Sequence, residues 1–215
     1  MLTVWGRKTS SNVQALMWCI GELGLAYERH DIGHNFGGTD TDAFFQLNPN
    51  RAIPVLQDGT NPPLWETGAI LRYLATRYAD NAFWPKELLA RTEVDRWAEW
   101  SKINVAMGFT VPIFWRLIRT PKDQVDPMAI HQSVAALEEK LVIADARLKD
   151  QAFLVGDSLT LADIHFGHVL YRYFDIDIDR TDLPNIARYY ARLTERPAYQ
   201  AHVMVSYDVF LQPDS

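Results

Sequence analysis

Strand-like patterning is confined to the first 79 residues of this 215-residue chain, and everything after Ala79 reads as helix. Leu2 to Trp5 is a short apolar run ended by Gly6-Arg7-Lys8-Thr9, which predicts a strand feeding a loop. Val13, Leu16, Met17, Ile20 and Leu23 then recur at helical spacing, with Gly24 where a C-terminal cap belongs. Tyr27 to Ile32 is a second strand, and such a strand, helix, strand unit favours parallel pairing. His34 to Asp42 is loop by its Gly, Asn, Asp and Thr content, with room for a short irregular helix before Asn48-Pro49. Ile53-Pro54-Val55-Leu56 predicts a third strand that opens with proline. That residue has no N–H for a central ladder, so something other than strand pairing must use that edge. Turn residues from Gln57 to Pro63 lead to a short strand at Leu64-Trp65 and a helix marked by Ile70, Leu71, Leu74 and Tyr78. The expected fold class is therefore α/β plus all-α, with a sheet unit over residues 1–79 and an all-helical unit over 87–215.

In the helical part, Leu88 to about Arg119 is one long stretch with Trp97, Trp100, Asn104, Met107, Val111 and Trp115 along a face. Pro112 should kink it. Pro127 suits a first-turn position, and Ile130, Val134, Leu137, Leu141, Ala144 and Leu148 follow at three-four spacing. Further helices are expected from Thr160 to about Phe174 and from Pro184 to about Thr194, with an apolar tail from Val205 lying back on the protein. Thr160-Leu161-Ala162-Asp163 reads as a capping-box variant with Leu159 placed to staple Ile164.

Composition narrows the function classes. A net charge of −6 gives no electrostatic reason to expect a nucleic-acid partner. Basic residues follow the first apolar ones too soon for a signal peptide, and no run is long enough to span a membrane, so a cytoplasmic setting is expected. The single cysteine, Cys19, excludes an internal disulfide and a Cys-x-x-Cys redox or zinc site. Inside a helical pattern it reads as a small buried thiol. No metal is expected.

Three motifs stand in order: Asn48-Pro49-Asn50-Arg51-Ala52-Ile53-Pro54-Val55-Leu56, Trp65-Glu66-Thr67-Gly68-Ala69-Ile70 and Ser158-Leu159-Thr160-Leu161-Ala162-Asp163-Ile164. With the strand, helix, strand opening and the helical remainder, they resemble the glutathione transferase family over essentially the whole chain. The resemblance implies an N-terminal thioredoxin-like domain that binds glutathione as co-substrate, an all-helical C-terminal domain, a small electrophile as second substrate, and a homodimer. It also implies a cis Ile53-Pro54 bond, with the Ile53 backbone exchanging hydrogen bonds with the cysteinyl unit of glutathione.

Glutathione presents two carboxylates, an ammonium and a thiol, and each demands a partner. Glu66-Thr67 falls at a helix start, where free N–H groups favour an anion. Thr67 can hold the glutamyl carboxylate and Glu66 the ammonium, although both are also common helix-start residues. Arg51 has the donor fork that suits the glycyl carboxylate, or is a solvated surface arginine. The thiolate is the nucleophile, yet a free thiol with a pKa of about 8.5 is only slightly ionised near neutrality. Ser10-Ser11-Asn12 supplies hydroxyl and amide donors at the mouth of the first helix. By resemblance Ser10 matches the hydroxyl of serine-type transferases and Asn12 the asparagine of some bacterial and fungal classes; Ser11 stays open, and helix capping is the plainer alternative for all three. The tyrosine used by other transferases is missing, since Trp5, Gly6 and Arg7 stand at the strand's end; the cysteine types are excluded, and the related isomerase is disfavoured because Asn12 replaces its cysteine and no arginine follows. The second substrate is expected between the halves against Met107, Val111, Phe114 and Trp115, with interhelical core as the alternative for each. The leading expectation is conjugation of glutathione to small, apolar electrophiles. The rivals are a glutathione-dependent disulfide or peroxide reductase and a non-catalytic glutathione-binding module.

Overall fold

The computed structural model describes residues 1–211. Strand β1 (Leu2–Trp5) lies between β2 (Tyr27–His30) and β3 (Val55–Asp58), and β4 (Leu64–Trp65) adds an edge, in the order β2-β1-β3-β4. β1 runs parallel to β2, as the intervening helix requires, and antiparallel to β3, with Trp5 opposite Val55 and Leu2 opposite Asp58. The third strand begins at Val55, two residues later than the apolar run suggests, because Pro54 has no N–H to donate to the ladder. The Ile53-Pro54 bond is cis.

Helix α1 (Ser11–Glu22) is buried at every position from Val13 to Ile20. Such burial on all sides fits a helix packed on two layers: α1 touches α3 (Thr67–Tyr78) within the sheet unit, and on its other side α6 (Leu161–Gly167) and α9 (Pro197–His202). Cys19 is fully enclosed here, and burial pushes its thiol pKa up, so it is the inert core residue the sequence suggests. Before β3 a short α2 (Asp42–Leu47) is capped by the Thr41 hydroxyl, which accepts from the Phe44 N–H at 3.2 Å.

The long helical stretch opens as α4 (Leu88–Trp100) and stays helical to Ile118. Two segments, Ser101–Ala106 and Thr110–Trp115, take the wider π-helical turn, and Pro112 lies in the second. These turns matter for alignment. In a regular α-helix each fourth residue is rotated by about 40° from the last, so an i, i+4 stripe wanders around the axis. Wider turns counter that drift, and Ser101, Val105, Phe109 and Ile113 all remain buried while Met107, Val111 and Trp115 all remain exposed.

α5 (Pro127–Arg147) starts with its first-turn proline, capped by the Asp126 carboxylate. The helix expected over 160–174 is two helices, α6 and α7 (Leu170–Asp175), and α9 beyond α8 (Pro184–Thr194) was not anticipated, although Pro197 marks its first turn. Gly167 lets α6 press on its neighbours: a Cβ there would lie 2.6 Å from Leu193 Cδ1 and 2.8 Å from Trp18 Cη2. The tail to Leu211 does lie back, with Phe210 buried and the Tyr207 hydroxyl donating to Asp175 at 2.6 Å.

Candidate active site

The loop after β1 turns sharply at Gly6, whose φ is +154° and whose missing Cβ would sit 2.5 Å from Val13 Cγ2. This turn delivers the chain to α1 with Ser10 at the N-cap position. The Ser10 hydroxyl makes no capping bond, and among the described residues the side chains of Ser10, Ser11 and Asn12 are free of hydrogen bonds. Three uncommitted donors therefore sit at the electropositive end of a well-formed helix, where unpaired backbone N–H groups also converge.

These residues form one wall of a cleft of about 470 Å³ that also takes in Thr67 at the start of α3. Opposite stand Met107, Val111 and Trp115, the exposed stripe of the long helical run. Thr67 is the first residue of α3 and is buried, while Glu66 before it has φ of 68°, a conformation rare for a non-glycine residue, and makes no capping bond. The Glu66 carboxylate approaches Lys102 Nζ at 4.0 Å.

Other expected residues stand elsewhere. Phe114 is fully buried under the Arg172 guanidinium, 4.6 Å from its ring centre, and belongs to the core. Arg51 donates to the Thr41 and Thr39 carbonyls at 3.1 and 3.3 Å and lies over the Phe45 ring, away from the cleft. Ile53 and the buried Pro54 flank the turn at Gly6 outside the cleft lining, and the Ile53 backbone has no hydrogen bond among the described residues.

The cleft also holds chemistry that the sequence reading missed: Arg7, Lys102, Arg119 and Arg172, with His165 and His168. A signal did exist, since His165, His168 and Arg172 recur at three and four in an otherwise apolar stretch. Burial depresses the pKa of His165 to about 3 and of His168 to about 4, with nearby cations acting in the same direction. Both histidines are therefore neutral in the folded protein but ionise near 6.5 when unfolded. The unfolded chain binds more protons below that pH, so the stability they supply is complete above 6.5 and is lost as pH falls toward 4. Between pH 6.5 and 5 each histidine should cost about 2 kcal/mol of stability. Urea midpoints at pH 7 and 5 check this, and a His165→Gln variant whose midpoint falls as steeply as the parent's would exclude it.

A mixed four-stranded sheet with a cis proline beside the mouth of its first helix, closed over by a helical unit, defines a thioredoxin-like protein with an appended helical half. The family model of the glutathione S-transferase N-terminal domain matches residues 1–76, and that of the glutathione S-transferase C-terminal domain matches 106–197. The chain belongs to the glutathione S-transferase family. It is 34% identical over 206 residues to glutathione S-transferase GstB of Escherichia coli, covering 95% of this chain and 99% of that one. The disulfide-bond oxidoreductase YghU of Escherichia coli is 30% identical, over 90% of this chain and 68% of its own. Among solved structures, the theta class glutathione S-transferase from Xanthomonas axonopodis pv. citri with glutathione bound superposes with a TM-score of 0.89 at 42% identity, covering 95% of this chain and 98% of that one.

Proposed function

We propose that this protein conjugates the glutathione thiolate to small electrophiles with an apolar body. The observation that carries this reading is the pairing, in one cleft, of uncommitted donors at the mouth of α1 with the exposed stripe Met107, Val111 and Trp115. In this reading the sulfur lies against Ser10, Ser11 and Asn12, which favour its ionised form by charge-assisted hydrogen bonds and the helix field. Thr67 and the first-turn amides of α3 take the glutamyl carboxylate, and Glu66 takes the ammonium, with Lys102 beside it. The unpaired Ile53 backbone offers an edge to the cysteinyl unit. Arg51, which follows α2 and is tied back to the loop before it, serves the glycyl end only through donors not turned to Thr39 and Thr41.

Residues 1–79 thus hold glutathione and residues 87–215 supply the electrophile wall. A cytoplasmic homodimer is part of the reading, supported by the unpaired Cys19 and by Leu88 and Leu89 left exposed at the start of α4. The similarity to YghU keeps a reductase reading in view. Purified protein should accelerate the reaction of glutathione with an aromatic halide and leave a small disulfide largely unreduced. Faster reduction of the disulfide would reverse the assignment, and tight glutathione binding without turnover of either would make the protein a binding module.

A further inference from the structure

Arg7, Arg119 and Arg172 line one end of the cleft, and among the described residues no carboxylate pairs with them. Arg119 Cζ lies 4.3 Å from the centre of the Phe210 ring and 4.4 Å from that of Trp115, and Arg7 Cζ lies 5.7 Å from the same Phe210 ring. Arg172 is 2% exposed; its Nη2 donates to the Thr9 carbonyl at 2.7 Å, while its Nε has no partner among the described residues. The Nε atoms of Arg7 and Arg119 are likewise buried without a partner. Among the described residues none of the three forms an ion pair.

Elsewhere partly buried arginines are satisfied either by acids, Arg72 by Asp95 and Glu99, Arg147 by Glu93 and Arg196 by Glu22, or by carbonyls, as Arg180 and Arg192 are. Acids are not scarce, since 27 Asp and Glu stand against 21 Lys and Arg. Burial desolvates the three arginines and, secondarily, they repel one another, which lowers the pKa of Arg7 and brings that of Arg172 down to about 10. Buried charge without a counter-charge is costly, so this cluster favours an anion that joins it.

The position of the cluster says which molecule brings that anion. Arg119 continues the spacing of Met107, Val111 and Trp115 by four more residues, so the apolar wall ends in a guanidinium. The glutamyl end of glutathione is assigned to Thr67, Glu66 and Lys102, a separate part of the cleft. We propose that the electrophile carries a carboxylate, held by Arg7, Arg119 and Arg172 while its apolar body lies along Met107, Val111 and Trp115. This inference rests on the transferase reading above and adds the substrate class.

The matched pair 4-chloro-3-nitrobenzoate and 4-chloro-3-nitrobenzamide tests it. In both, the thiolate sulfur bonds to the carbon bearing chlorine, chloride leaves with the bonding electron pair, and the thiol proton passes to solvent. Only the group para to the leaving chloride differs. Relative to the uncatalysed rate, kcat/KM should favour the benzoate by about 10- to 100-fold, the worth of a hydrogen bond to a charged group. Arg119→Gln should erase most of that preference through KM, Arg119→Lys should keep part of it, and neither should weaken glutathione binding measured by calorimetry. Equal losses on both substrates, no preference for the benzoate, or weakened glutathione binding would overturn the proposal.

Binding of the two finished conjugates to parent and Arg119→Gln protein keeps the inference separate from the reading it rests on. Tighter, Arg119-dependent binding of the carboxylate conjugate without turnover would uphold the anion site and refute transferase chemistry. Normal turnover of the amide with no Arg119-dependent preference would do the reverse.

Discussion

Replacing Ser10 with alanine should lower kcat/KM for conjugation by about 10- to 100-fold near neutral pH, the scale of one lost hydrogen bond to a charged group. The hydroxyl stands at the N-cap of α1 without a capping bond, so its removal should barely disturb the helix. What is lost is stabilisation of the thiolate over the thiol, and the pKa of bound glutathione should rise by about 1 to 2 units. The acid limb of the pH profile therefore moves upward, and the deficit shrinks as pH rises and the thiol ionises without help. Asn12→Ala, made alongside, should reproduce the pattern if the amide is the donor, and the larger fall identifies which side chain carries the effect. A deficit of constant size from pH 6 to pH 9 in both variants would mean that neither holds the thiolate.

The second large effect lies at Asp163, far from any reacting atom. Its carboxylate is fully buried and accepts four hydrogen bonds: from the Leu154 N–H at 2.9 Å and the Tyr189 hydroxyl at 3.0 Å on one oxygen, and from the Thr160 N–H at 2.8 Å and its hydroxyl at 2.9 Å on the other. One side chain thus joins the loop before α6, the first turn of α6 and the middle of α8. Asp163→Ala leaves buried donors without an acceptor, each costing about 1–3 kcal/mol. Burial outweighs those bonds in raising the pKa of this carboxyl, so relief from desolvation offsets part of the loss. A net destabilisation of about 3–5 kcal/mol is expected in urea unfolding. Thr160→Ala keeps its N–H on the carboxylate and should cost only about 1 kcal/mol, with the KM for glutathione unchanged. An Asp163→Ala protein as stable as the Thr160→Ala protein would show that the four bonds are not what seats α6. Because α6 carries His165 and leads to His168 and Arg172, seating it also positions one side of the cleft.

Local patterns told much of this in advance. The parallel β1-β2 pair, the helix-only remainder and the enclosed Cys19 follow from period, connection length and apolar content, which act over a few residues. Ser10, Ser11, Asn12 and Thr67 could be chosen beforehand because a helix start has the same unpaired amides wherever it occurs. Phe114 and Met107 looked alike as helical apolar residues, yet one is core and the other wall. Their separation depends on how the run between Ser101 and Trp115 widens its turns, which packing against α5 and α6 accompanies.

The sequence by itself determined the order and type of the elements and the donors at the mouth of α1, since these rest on backbone chemistry between near neighbours. Only the tertiary structure decided the character of the cleft's far end. Arg7, Arg119 and Arg172 are separated by more than 50 residues at each step, and no spacing rule links charges that meet only when the loop after β1, the end of the long helical run and α7 fold together around Phe114 and Phe210. Electrostatic fields sum over space rather than along the chain, so the cationic end of an acidic protein became visible only once the chain was folded.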